Sequence, residues 1–251
     1  MRRCYASIVF IVYCFLYNLA VTPASAVSNH LIPLPVIDFN ILAPQTVNVG
    51  LSQKEYEQKI SSLKKTCGDK YSDFSKTLSS DEKALLSTSH TKWKAFMRSL
   101  QETLNKQLNT PIKVFYGVKE KERITNVYRD AVIAAYEQRI SDLERWTKGN
   151  FAPLKIKEAS EFKRTIAYEE NLFNERASRN IYLMEERYRQ EEFASQKAWR
   201  KFREANLSLI EAMTSNSLEV TEERMLMLRR INDIRALQAE GLIFFKLERE
   251  E

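Results

Sequence analysis

A tryptophan followed three residues later by a phenylalanine occurs twice in this chain, at Trp93 and Phe96 in SHTKWKAFMRSL and at Trp199 and Phe202 in SQKAWRKFREA. Each pair lies in a stretch whose apolar residues recur every three or four positions, the period of one face of an α-helix. Two bulky rings on one helical stripe must be covered by other elements, so each pair reads as the anchor of a helical core module used twice. Glycine and proline punctuate turn-dense β folds, and with only five glycines and six prolines in 251 residues the chain favours long helices with few connections. The expected class is all-α, with two related antiparallel helical units of about three long helices each.

The first 26 residues have the pattern of an export signal. Arg2 and Arg3 form a basic end, Ile8 to Leu16 is an unbroken apolar and aromatic run, and Ala24, Ser25 and Ala26 supply the small residues read before cleavage. The apolar run is too short for a comfortable membrane span. Cleavage after Ala26 is expected, leaving a periplasmic or secreted chain with no stable membrane span. It would remove Cys4 and Cys14, leaving Cys67 unable to form an internal disulfide, and Arg2 and Arg3, lowering the formal charge from +6 to +4. Charges of both signs alternate along the rest of the chain, the pattern of solvated helix faces rather than of a nucleic-acid footprint.

Residues 27–50 form a different material, with Pro33, Pro35 and Pro44 set among apolar residues and Asp38 as the single charge. Prolines at this density forbid a helix, so this is an extended arm, laid on the protein's own helices or offered to a partner. Ser52 with Glu55, and Ser79 with Glu82, are capping boxes that start the first two helices. The first carries Tyr56, Ile60, Leu63, Cys67, Tyr71 and Phe74 on one stripe; the second carries Leu86, Trp93, Phe96, Leu100 and Leu104. PIKVFYGV, from Pro111 to Val118, reads as a short strand or ordered loop. A third helix then runs to about Lys148, where Gly149, Asn150 and Pro153 mark the boundary between unit 1 (51–149) and unit 2 (150–251). Unit 2 repeats the plan, with a break or bend expected near Arg189 and a polar turn at Thr214 to Ser217.

Superposing the halves places Trp93 on Trp199 and Phe96 on Phe202. Further on, Arg139 and Ile140 fall on Arg230 and Ile231, after a length change assigned to the Pro111 to Val118 segment.

Chemistry is sparse. His30 and His90 are the only histidines, and His90 stands where the second copy has Gln196. A position that accepts either residue is a polar packing contact rather than a general base. No cysteine, histidine or carboxylate cluster has metal-ligand spacing, no serine sits in a glycine-flanked elbow, and no glycine-rich phosphate loop occurs. Cys67 lies on an apolar stripe and reads as an inert buried thiol or as one half of a mixed disulfide between chains. A non-enzymatic protein without a cofactor is expected. Gln196, Trp199 and Arg203 share a helix face with Phe202 beside them, and this is the candidate binding face. Trp93, Phe96, Trp199 and Phe202 are the expected core anchors, with Arg203 laid over that core and paired with a carboxylate near Glu204 or at Asp233.

The segments NLFNERASRNIYLM, QKAWRKFREA and RMLMLRRINDIRAL, over about Glu170 to Leu237, resemble the LprI-type lysozyme-inhibitor domain of exported bacterial proteins. Asn174, Gln196, Trp199, Phe202, Arg203, Glu204 and Ala205 fit its pattern, and Arg230 with Ile234 fit its end. In the first half His90 replaces the glutamine and Met97 the arginine. The resemblance implies an all-helical, non-catalytic periplasmic module that acts by protein contact, with lysozyme or an envelope protein as partner. The alternative is a cell-envelope interaction or scaffolding protein without inhibitor activity.

Overall fold

Two serines start the first pair of helices. The Ser52 backbone N–H donates to Glu55 Oε2 at 2.8 Å while the Glu55 N–H donates to Ser52 Oγ at 3.3 Å. Ser79 and Glu82 repeat the exchange at 2.7 and 3.4 Å. Each box satisfies two backbone groups that a helix end otherwise leaves to water, and both lie where the sequence places them.

The structure is a computed structural model and describes residues 50–108, 118–151, 159–184 and 186–247. Those residues form six α-helices and no strand: α1 (Gln53–Lys76), α2 (Ser80–Leu108), α3 (Val118–Thr147), α4 (Ala159–Leu183), α5 (Glu186–Thr214) and α6 (Ser217–Leu247). The all-α class therefore holds. The signal at 1–26, the arm up to Val49 and Pro111 to Gly117 lie outside the described residues. Val118, expected to close the strand or loop, is the first residue of α3.

The helix ends follow local chemistry. At the end of α3 Gly149 takes φ +70°, and the Gly149 and Asn150 N–H groups reach back to Trp146 O and Arg145 O at 2.8 and 3.0 Å. A side chain at that φ would be strained, which is why glycine stands there. The break between α4 and α5 falls between Leu183 and Glu186, and Arg189 lies inside α5. The run Met184 to Arg189 holds no glycine or proline to mark the break.

In each half the first helix packs on the third, α1 on α3 and α4 on α6, while the middle helices α2 and α5 make their most extensive contact with each other. A single apolar core runs through all six helices, from Ile60 and Cys67 to Leu228 and Ile234. Gly149 thus ends a helix without separating two cores. The reason lies in α2, which buries Leu86, Trp93, Phe96, Met97, Leu100 and Leu104, more apolar width than α1 and α3 alone cover.

The internal duplication has a structural counterpart. At the separation that superposes Trp93 on Trp199, buried Ile60, Cys67 and Phe74 of α1 fall on inward-facing Ile166, Phe173 and Asn180 of α4. The third helices align differently from the sequence match of Arg139 with Arg230. Arg139 reaches Ser89 Oγ at 3.3 Å and Arg235 reaches Ser195 Oγ at 3.2 Å, so Arg139 and Arg235 hold equivalent places. The match to Arg230 follows a run of similar residue types that does not share the contact.

Candidate functional site

The repeated ring pairs meet at the contact between α2 and α5. Phe96 stacks on Phe202 with centroids 6.2 Å apart and planes 8° from parallel. Trp93 and Trp199 are 4% and 2% exposed, but their neighbours differ. Trp93 meets Tyr136 edge-on at 5.2 Å and lies against His90 at 5.4 Å. Trp199 meets Phe173 at 4.6 Å and carries the Arg203 guanidinium over its ring at 5.1 Å. The sequence accounts for the difference: Cys67 stands where the second copy has Phe173, and His90 where it has Gln196.

The face proposed for binding is turned inward. Gln196 is 5% exposed, and its amide donates to Glu192 Oε1 at 3.0 Å and to Ala177 O at 3.5 Å. Trp199 is buried and Phe202 half-buried, so these side chains serve the core and leave little surface for a partner. Arg203 is half-buried; burial, with Arg224 nearby, lowers its pKa. Its carboxylate partner is Glu170 of α4, at 3.9 Å, and not Asp233, which faces Arg229 at 3.7 Å. The missed pairing follows from topology, because α4 packs against the α6 side of the unit and its position was not legible from helical spacing alone.

Beneath the stacked rings lies a buried polar chain that connects four helices. Ser89 Oγ and Arg139 Nη1 both donate to Asn206 Oδ1 at 2.9 Å. Asn206 Nδ2 donates to Glu223 Oε1 at 3.0 Å, and Arg145 Nη2 reaches Glu223 Oε2 and Asp142 Oδ1 at 3.0 Å each. Arg230 Nη1 closes the chain on Asp142 Oδ2 at 2.7 Å. Burial alone would push the Asp142 carboxyl up, but Arg230 and Arg145 outweigh it and hold it below its ordinary value. Burial, then the Asp142 charge, push Glu223 up.

A second buried cluster centres on Arg235, whose Nη1 lies 2.9 Å from Glu192 Oε1 and donates to Gln238 Oε1 at 2.7 Å. Gln238 in turn donates to Glu192 Oε2 at 2.7 Å. None of these carboxylates stands beside a nucleophile and base; each is held by arginine or amide groups, as structural ion pairs are. Among the described residues no three histidine, cysteine or acidic side chains lie together as metal ligands would, and no helix is long and apolar enough to cross a membrane.

His90 sits between Tyr71, at 4.4 Å, and Trp93. Burial, reinforced by the Arg139 charge, drives its pKa from 6.5 down to about 3, so the ring is a neutral stacking partner. Cys67 is 2% exposed with its pKa raised by burial, which places it as a core thiol.

The outer surface offers a sharper asymmetry. Among the described residues the exposed large hydrophobic side chains are Tyr168, Tyr182 and Phe193, at 52%, 69% and 50% exposure. All three lie on α4 and α5. Their equivalents in the first copy, at the Trp93 to Trp199 separation, are Ser62, Lys76 and Ser87, which are also exposed. No family model, curated protein or solved structure matches the chain.

Proposed function

We propose that this protein is an exported, non-catalytic binding module of the bacterial envelope that engages a protein partner through the outer faces of α4 and α5. The reading is supported by one observation above the rest: the second copy carries Tyr168, Tyr182 and Phe193 in water where the first copy carries serine and lysine. Exposed aromatics cost solubility, whereas aromatic residues are enriched where proteins meet. The buried position of Gln196 and Trp199 moves the proposed contact from the inner face of α5 to its outer face.

The triple variant Y168S/Y182K/F193S, which gives the second copy the residues of the first, tests this reading. It should fold as the parent does and lose the partner that the parent retains from an envelope extract. Equal retention by both proteins would rule out this surface.

Lysozyme inhibition is the second reading, supported by the resemblance of Glu170 to Leu237 to the LprI-type domain. Charge works against it, because animal lysozymes are strongly cationic and the chain is itself net positive once the signal is removed. A turbidity assay with excess protein decides: slowed lysis supports inhibition, and unchanged lysis leaves the envelope-binding reading alone.

A further inference from the structure

The two buried clusters differ in one charge. Arg235 has the Glu192 carboxylate at 2.9 Å and both groups are fully buried. Arg139, its equivalent, is 2% exposed and bonds only to the neutral oxygens of Asn206 and Ser89. The reason is legible in the chain: Leu86 stands in α2 where α5 has Glu192. Around Arg139 the buried or nearly buried ionic groups are Arg145 and Arg230 on one side and Asp142 and Glu223 on the other. Three guanidinium groups thus face two carboxylates, and an arginine does not shed its proton to balance the account.

A cavity of about 40 Å³ opens at this cluster, lined by Arg139, Arg230 and Gln138 and walled by the rings of Trp93, Phe96 and Phe202. Arg139 Nε, Arg230 Nε and Arg230 Nη2 are buried donors with no protein acceptor. Asp142 also lines the cavity, with both its oxygens already engaged by Arg145 and Arg230. A buried, uncompensated charge is costly unless a counter-charge sits beside it. We infer that this cavity binds one small monovalent anion of halide size, which supplies for Arg139 the negative charge that Glu192 supplies for Arg235. The volume is enough to admit a small ion beside the two guanidinium groups.

The test uses the mature protein melted in sodium chloride and in sodium gluconate at equal ionic strength, followed by a crystal grown in sodium bromide. Chloride should leave the melting temperature nearly unchanged well below half-saturation and raise it by roughly 3 to 5 °C per tenfold increase above it. An anomalous bromide peak should lie between Arg139 and Arg230. The variant Gln138→Glu builds a carboxylate into the cavity wall and should lose the chloride response while keeping the fold, which separates site binding from a general salt effect. Equal melting in the two salts, with water alone in the cavity, overturns the proposal. So does an undiminished chloride response in Q138E, which would place the ion elsewhere.

Discussion

Phe96 of α2 and Phe202 of α5 lie ring on ring, 8° from parallel, and this contact joins the two copies of the motif to each other. Truncating either ring uncovers its twin. Phe96→Ala should cost about 3 to 5 kcal/mol, as buried phenylalanines do, and Phe202→Ala less because that ring is half-buried. The double variant should fall short of the sum by about 0.5 to 1.5 kcal/mol, the worth of the stacked pair. Urea unfolding of the three variants measures this, and strict additivity would mean that the rings do not interact.

The Arg235 and Glu192 pair is wholly buried, so its members should be costly to lose singly. Glu192→Leu leaves the guanidinium uncompensated and should destabilise by about 3 to 5 kcal/mol, whereas the double variant E192L/R235M should recover most of that loss. The comparison is made by the same denaturant titration.

His90 makes stability depend on acidity. Its folded pKa is about 3 against an ordinary 6.5, so below pH 6.5 the unfolded chain takes up a proton that the folded chain refuses. Stability from this group is therefore complete above pH 6.5 and falls as pH drops from there toward 3. His90→Gln, the residue of the second copy, should flatten that part of the profile. Melting temperatures of both proteins from pH 7.5 to 4 would show it, and parallel curves would contradict the assignment.

Cys67 should be silent to thiol reagents in the folded protein, since it is nearly inaccessible and burial disfavours its thiolate. Labelling should proceed at the rate of unfolding and accelerate in step with denaturant. Rapid labelling without denaturant would place the thiol at the surface.

Helical class, both capping boxes and the inward stripes were legible because each is written in residues three or four apart. The neighbours of those stripes were not. Nothing in the spacing of Trp199 tells that it meets Phe173 of α4, or that Arg203 turns to Glu170, because these contacts depend on how helices far apart in the chain are brought together. The repeat misled in one respect: Arg139 looks like Arg230 in its sequence neighbourhood, yet its counterpart by contact is Arg235. Gln196 and Trp199 share one face, as helical spacing requires, and of the two readings of that face the burial of both side chains matches Trp199 as a core anchor. Exposed Tyr168, Tyr182 and Phe193 could have been found by asking which aromatics break the period of their helices.

The partnership of α2 with α5 also governs the order of assembly. A chain emerging from its N-terminus presents α2 long before α5 exists. In half-made protein the Trp93 ring can already meet Tyr136 of α3, whereas the Phe96 ring lacks the stacking partner that only the last third of the polypeptide supplies. Until α5 is made, the Phe96 side of α2 stays open to water.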